Sequence, residues 1–140
     1  MAESGMSGEA RGLVLSVMLA VPDAQEAAGW YERAVGATRL WSLGSVVGLQ
    51  VGGAPFFLGE PSNNGWESPS VLGTTTLRVE VFVDDPDGFV ARAVAAGADG
   101  HDPVRDHETP WGTHRQGGFI DPFGHRWLAG DRSPLAPHAV

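Results

Sequence analysis

Apolar residues in this chain gather in short runs, and the spacing inside each run separates strands from helices. Residues 13–37, LVLSVMLAVPDAQEAAGWYERAVGA, open with an aliphatic run and break at Pro22-Asp23. They continue with apolar positions at helical spacing (Ala27, Trp30, Tyr31, Ala34) and stop at Gly36-Ala37. Asp23 is placed to cap a helix over 24–35, with Gln25 and Glu26 in its electropositive first turn and Gly36 at its end. Residues 75–98, TTLRVEVFVDDPDGFVARAVAAGA, repeat the order, with a helix near 86–96. The two Gly-Ala stops stand 61 residues apart, and Val21 and Val83 stand 62 apart. Three strand candidates follow each unit: 38–42, 46–51 and 55–58, then 102–106, 113–120 and 126–129.

The pattern predicts an α+β fold of two tandem βαβββ modules. A single domain spans 11–131, divided into module one (11–60), a turn-rich linker (61–73) and module two (74–131). Residues 1–10 and 132–140 read as tails, the first small, polar and flexible.

Strand alternation sorts the faces. Leu77, Val79, Val81 and Val83 form the row expected under the second helix, which sends Arg78, Glu80 and Phe82 to the opposite, concave side. By the same count Val17, Leu19 and Val21 go under the first helix, and Ser16, Met18 and Ala20 face away. A face with apolar walls and a few polar handles suits a small-molecule pocket. Arg78 and Glu80, two apart on one strand, equally suit a structural ion pair at a wet surface.

Composition narrows the partners. Nine Lys+Arg against seventeen Asp+Glu give a formal charge of −8, and no basic run is present. That balance disfavours nucleic acid and anionic membrane. No long apolar run or secretory pattern appears, so a soluble cytoplasmic protein is expected. The chain has no cysteine, which removes disulfides, thiolate nucleophiles and sulfur-ligated metal sites.

The closing stretch WGTHRQGGFIDPFGHRWLAG places Asp121-Pro122-Phe123-Gly124 in a tight turn followed by His125 and Trp127. Asp121 is expected to brace that turn through backbone N–H groups. Together with the paired modules and the opening LAVPDAQEAAGWYERAVGA, this stretch resembles the vicinal oxygen chelate superfamily, the glyoxalase and bleomycin-resistance fold. The resemblance covers about residues 11–131. It implies half-open barrels around a concave cavity, a habit of dimerising, and in the enzymes a divalent metal held by a His or Gln and a Glu from each module. Here the four corresponding positions fall on Ser16, Phe57, Arg78 and Leu128. Phenylalanine and leucine have no donor atom, arginine is a permanent cation, and serine alone is a weak ligand, so no metal and no cofactor is expected. His101, His107, His114 and His125 show no spacing that would replace the set.

What remains is binding. Metal-free relatives sequester antibiotics, commonly as dimers with grooves between subunits, and use aromatic stacking. The expected ligand is a small hydrophobic, aromatic or cyclic molecule, bound by a homodimer. Ser16, Met18, Phe57, Phe82 and Leu128 would form the wall, Trp66 and Trp111 the stacking surface, and Arg78 and Glu80 a polar handle. The alternative is a metal-free lyase or isomerase in which Glu80 is the base, Arg78 stabilises an oxyanion and His114 relays a proton.

Overall fold

The computed structural model describes residues 12–110 and 112–132. The tail at 1–10, all but Arg132 of the tail at 132–140, and Trp111 lie outside the described residues.

Module one runs β1 (Met18–Ala20), α1 (Ala24–Val35), β2 (Thr38–Ser42), β3 (Val46–Val51) and β4 (Ala54–Gly59). A single helical turn, α2 (Pro69–Leu72), stands in the linker. Module two runs β5 (Arg78–Phe82), α3 (Pro86–Ala95), β6 (Asp99–Thr109), β7 (Gly112–Ile120) and β8 (Arg126–Gly130). Each module forms a four-stranded sheet, in the orders β1-β4-β3-β2 and β5-β8-β7-β6. In each, the first strand pairs parallel to the last and the other pairs are antiparallel. The predicted pair of βαβββ units is present. Both sheets are open and no ladder joins them, so neither closes into a barrel within the described residues.

The helices form where the pattern placed them. Asp23 Oδ1 accepts from the backbone N–H groups of Gln25 and Glu26, both at 3.1 Å, and Gly36 ends α1 at φ 71°. Asp85 caps α3 by accepting from Gly88 N at 3.0 Å. No helix among the described residues is long and apolar enough to cross a membrane.

The core lies between the helices and the sheets. Leu19, Val47, Leu49 and Leu58 of the first sheet and Phe119, Trp127 and Ala129 of the second are buried with Ala27, Trp30, Tyr31, Ala34, Val90 and Ala93 of the helices. Trp30 and Tyr31 are therefore core residues, as their spacing predicts. They also tie the modules together. Trp30 donates its indole N–H to Ala96 O at 2.8 Å, and the Tyr31 ring packs on Trp127 with centroids 5.6 Å apart.

The aliphatic run departs from expectation at its start. Only Met18–Ala20 is strand, and hydrogen bonds from Phe57 N to Val17 O and from Val21 N to Gly59 O extend its pairing by one residue at each end. Leu13, Val14 and Leu15 are 98%, 87% and 85% exposed. In the parallel register Ala54, the first residue of β4, stands opposite Leu15, so Leu13 and Val14 reach beyond the end of that strand.

Candidate functional site: two sheet faces and the clefts at their edges

The cross-strand register fixes which side chains share the face turned away from the helices. In module one, Trp41, Gly48, Phe57 and Met18 stand in one row across β2, β3, β4 and β1. The Trp41 and Phe57 rings stack with centroids 5.5 Å apart and planes 27° apart. Trp41 can lie there because position 48 is glycine: a Cβ built on it would come within 2.5 Å of the indole. Gly59 does the same for its neighbours, a Cβ there lying 2.7 Å from Met18 Sδ and 3.2 Å from Trp66 Cη2. The result is an aromatic and thioether shelf with Trp41 39% and Met18 42% exposed.

Trp41 was not among the predicted site residues. A bulge between Arg39 and Trp41 shifts the register there, so simple alternation misplaces its face. Arg39, on the other side of the bulge, turns to α1 and bonds Glu32 and Gln25. Phe57, Met18 and Trp66 sit together on the shelf. Ser16 is exposed, ahead of β1 and outside the sheet.

The corresponding face of module two is polar. Its rows are Arg78–Arg126–Ile120, Glu80–Leu128–Gly118 and Phe82–Gly130–Gln116–Arg105, with His114 opposite His107 beyond them. Arg78 donates from Nε to Glu80 Oε2 at 2.9 Å, so the polar handle is closed on itself in an exposed ion pair. Phe82 packs beside Gly130. His114 does not meet Glu80. The Glu80 row reaches β7 at Gly118, four residues from His114, about 13 Å along the strand. His114 instead lies 3.8 Å from Asp131.

Two clefts open along the free edges of β1 and β5. One, of about 280 Å³, is lined mainly by apolar side chains, among them Val17, Leu19, Phe56, Val79, Val81 and Trp127, with Arg78 and Glu80 also in its wall. Its apolar walls come largely from the row predicted to lie under the helices. Val79 and Val81 are only partly buried because the space between the modules is not filled. The second, of about 310 Å³, lies between β1, the linker and the start of β5, and includes Met18, Trp66, Leu77 and His125.

Behind these clefts a buried carboxylate locks the modules together. Asp121 Oδ2 accepts from the Tyr31 hydroxyl at 2.5 Å and from Trp127 Nε1 at 3.0 Å, while Oδ1 accepts from Phe123 N and His125 N, both at 2.9 Å. The predicted brace of the turn is thus also a bond to α1 of the other module. Burial pushes the Asp121 carboxyl above its ordinary range, against the pull of the Tyr31 hydrogen bond. Burial, reinforced by the Asp121 charge, pushes the Tyr31 phenol well above 10.

The metal positions implied by the family resemblance hold Ser16, Phe57, Arg78 and Leu128. Phe57 is stacked on Trp41, Leu128 stands in the row of Glu80, and Arg78 stands beside Arg126. Two hydrocarbon side chains and a guanidinium next to another guanidinium do not fit a divalent cation. Among the described residues no group of three or more His, Asp or Glu side chains comes together to hold one.

The glyoxalase-like domain family matches residues 16–128, most of the chain. The chain belongs to this family. Its fold is that of the glyoxalase and bleomycin-resistance superfamily, as solved structures also show. TioX from Micromonospora sp. ML1 is 29% identical, with 85% of this chain and 98% of that one covered at a TM-score of 0.65. The fosfomycin resistance protein FosX from Mesorhizobium loti is 16% identical over 90% and 96% at 0.64. A glyoxalase/bleomycin resistance protein from Albidiferax ferrireducens T118 is 22% identical over 84% and 98%, also at 0.64. No protein of curated function matches significantly.

Proposed function

We propose that this protein binds a small hydrophobic, aromatic or cyclic molecule without a metal, in the manner of antibiotic-sequestering members of its superfamily. The observation that carries the reading is the stacked Trp41–Phe57 shelf laid over Gly48, half open to solvent. Exposed, ordered aromatic rings present flat area at little entropic cost, which is what a planar ligand needs. Arg78 and Glu80, Leu128 and Phe82 would supply the facing wall, and Trp111 a further ring.

The facing wall belongs to a second copy in this proposal. The two polar and apolar faces turn away from their own helices. β1 and β5 keep free edges, and Leu13–Leu15, ahead of β1 and outside the sheet, are exposed apolar residues. A homodimer that covers those edges would set the shelf of one chain against the polar face of the other and close the half-open barrels.

The lyase or isomerase reading gains no support from the geometry, since Arg78 already occupies the Glu80 carboxylate and His114 is remote from it. The test is a titration of tryptophan emission against a panel of aromatic antibiotics. A saturable change that Trp41→Ala abolishes supports the binding reading. Saturable binding untouched by Trp41→Ala and Phe57→Ala would remove the shelf from it.

A further inference from the structure

His125 is 4% exposed, yet only one of its ring nitrogens is satisfied. Nε2 lies 2.7 Å from Ala20 O. A carbonyl can only accept, so Nε2 carries the proton and Nδ1 of the neutral ring is an acceptor. Nδ1 is sealed from solvent and has no partner, alone in this among buried side-chain nitrogens and oxygens of the described residues. Two hydroxyls of the same region of the chain are bonded elsewhere. Thr75 donates to Leu77 O, and Ser68 shares its bonds with Ser70 and Phe123 O.

His125 also lines the 310 Å³ cleft, whose other walls include Met18, Trp66, Leu72, Thr75 and Leu77. The outer wall is the linker segment, which contains one helical turn, a positive-φ Asn63 (60°), and glycines at 65 and 73 with φ 80° and 81°. Leu72 on that turn is mostly exposed. A buried acceptor without a donor is a costly arrangement that a ligand's N–H or O–H would relieve.

We propose that this cleft is a ligand subsite, and that His125 Nδ1 accepts a hydrogen bond from a phenol-type hydroxyl or heteroaromatic N–H on a flat apolar body packed against Trp66 and Met18. The inference deepens the binding reading and rests on it: it gives the ligand one donor group and one place to put it. His125 is then a specificity residue as well as a fold residue, with its Nε2 bond to Ala20 fixing the ring so that Nδ1 faces the same way in every molecule.

The test uses the full-length ¹⁵N-labelled chain, titrated with 2-naphthol and with 2-methoxynaphthalene, which keeps the ring and loses the donor. Long-range ¹H–¹⁵N correlation reads the His125 ring nitrogens directly. The expected result is that 2-naphthol moves the Nδ1 signal and binds at least about tenfold more tightly than its methyl ether. Trp66→Ala should weaken both compounds alike, and His125→Phe should erase the preference between them. If His125→Phe fails to fold, the wild-type Nδ1 signal still decides. Equal affinity for both compounds with an unmoved Nδ1 signal, as an ordered water on that nitrogen would give, overturns this proposal and leaves the binding reading standing. So does 2-naphthol binding that leaves His125 untouched. Failure of both compounds to bind would overturn the two together.

Discussion

Replacing Gly48 by alanine separates function from stability in this protein. The new Cβ would lie 2.5 Å from Cε2, 2.7 Å from Nε1 and 2.9 Å from Cζ2 of Trp41. Ordinary carbon contacts begin near ~3.5 Å, so the indole must lift by about 1 Å and lose its fit on Phe57. The lost ring contact costs about 0.5–1.5 kcal/mol. Removing a glycine from the interior of β3 returns about 0.5–1 kcal/mol, and Gly48 is not among the positive-φ glycines that would resist the change. Net stability should therefore move by less than about 1 kcal/mol. Ligand affinity should fall roughly two- to tenfold, because a stacking contact of that same size is displaced from the ligand. Thermal unfolding followed by circular dichroism reads the first quantity, and a fluorescence titration with the tightest member of the aromatic panel reads the second. A Gly48→Ala protein with unchanged Trp41 emission and unchanged affinity would refute the assignment of the shelf. So would a fall in stability of several kcal/mol that accounts for the lost binding.

Tyr31→Phe removes one donor from the buried Asp121 carboxylate and nothing else, and should cost about 1.5–3 kcal/mol in denaturant unfolding at neutral pH. The Tyr31 phenol titrates higher in the folded state than in the unfolded one, so its contribution is complete below pH 10 and is lost as the pH rises beyond that value. The gap between wild type and Tyr31→Phe should accordingly narrow above pH 10 in unfolding curves; a gap that widens there would contradict the assignment. Asp121 is also raised when folded, so its share of stability is complete below the ordinary carboxylate pKa and is lost as pH rises through the folded value. Wild type should thus gain on Asp121→Asn as the pH falls through that window, measured by unfolding at a series of acidic pH values. Leu13→Asp with Leu15→Asp should shift a dimer toward monomer in light scattering at micromolar concentration without lowering the monomer's helix content, because neither side chain packs against its own chain.

Much of the fold could be read from periodicity and punctuation. Both helices, their Asp caps and the Gly36 stop are local features, encoded within a few residues of where they act. The strands that follow each helix were placed within a few residues for the same reason, the largest error among them being β6, which runs from Asp99 to Thr109 because its hairpin with β7 extends past the rest of the sheet. What pattern did not yield depends on distant partners. Residues 13–16 have strand composition but lie outside the sheet. Trp41 reaches the face turned away from the helices through a bulge, and the only local hint of its seat was the glycine at 48, seven residues on. Asp121 looked like a turn residue because the turn is local. Its bond to Tyr31 joins residues 90 apart and leaves no trace in spacing. His125 was likewise read only by its place after a turn glycine, and its orphaned nitrogen becomes visible once Ala20 is packed against the ring.

The central claim is that the sheet faces recognise their ligand without a metal ion, because Ser16, Phe57, Arg78 and Leu128 stand where enzymes of this superfamily hold one. Metal analysis by inductively coupled plasma mass spectrometry on protein freshly isolated without added ions or chelators tests it most directly. Far less than one transition-metal ion per chain is the expected result, whereas stoichiometric zinc, nickel, manganese or iron that survives gel filtration would contradict the account.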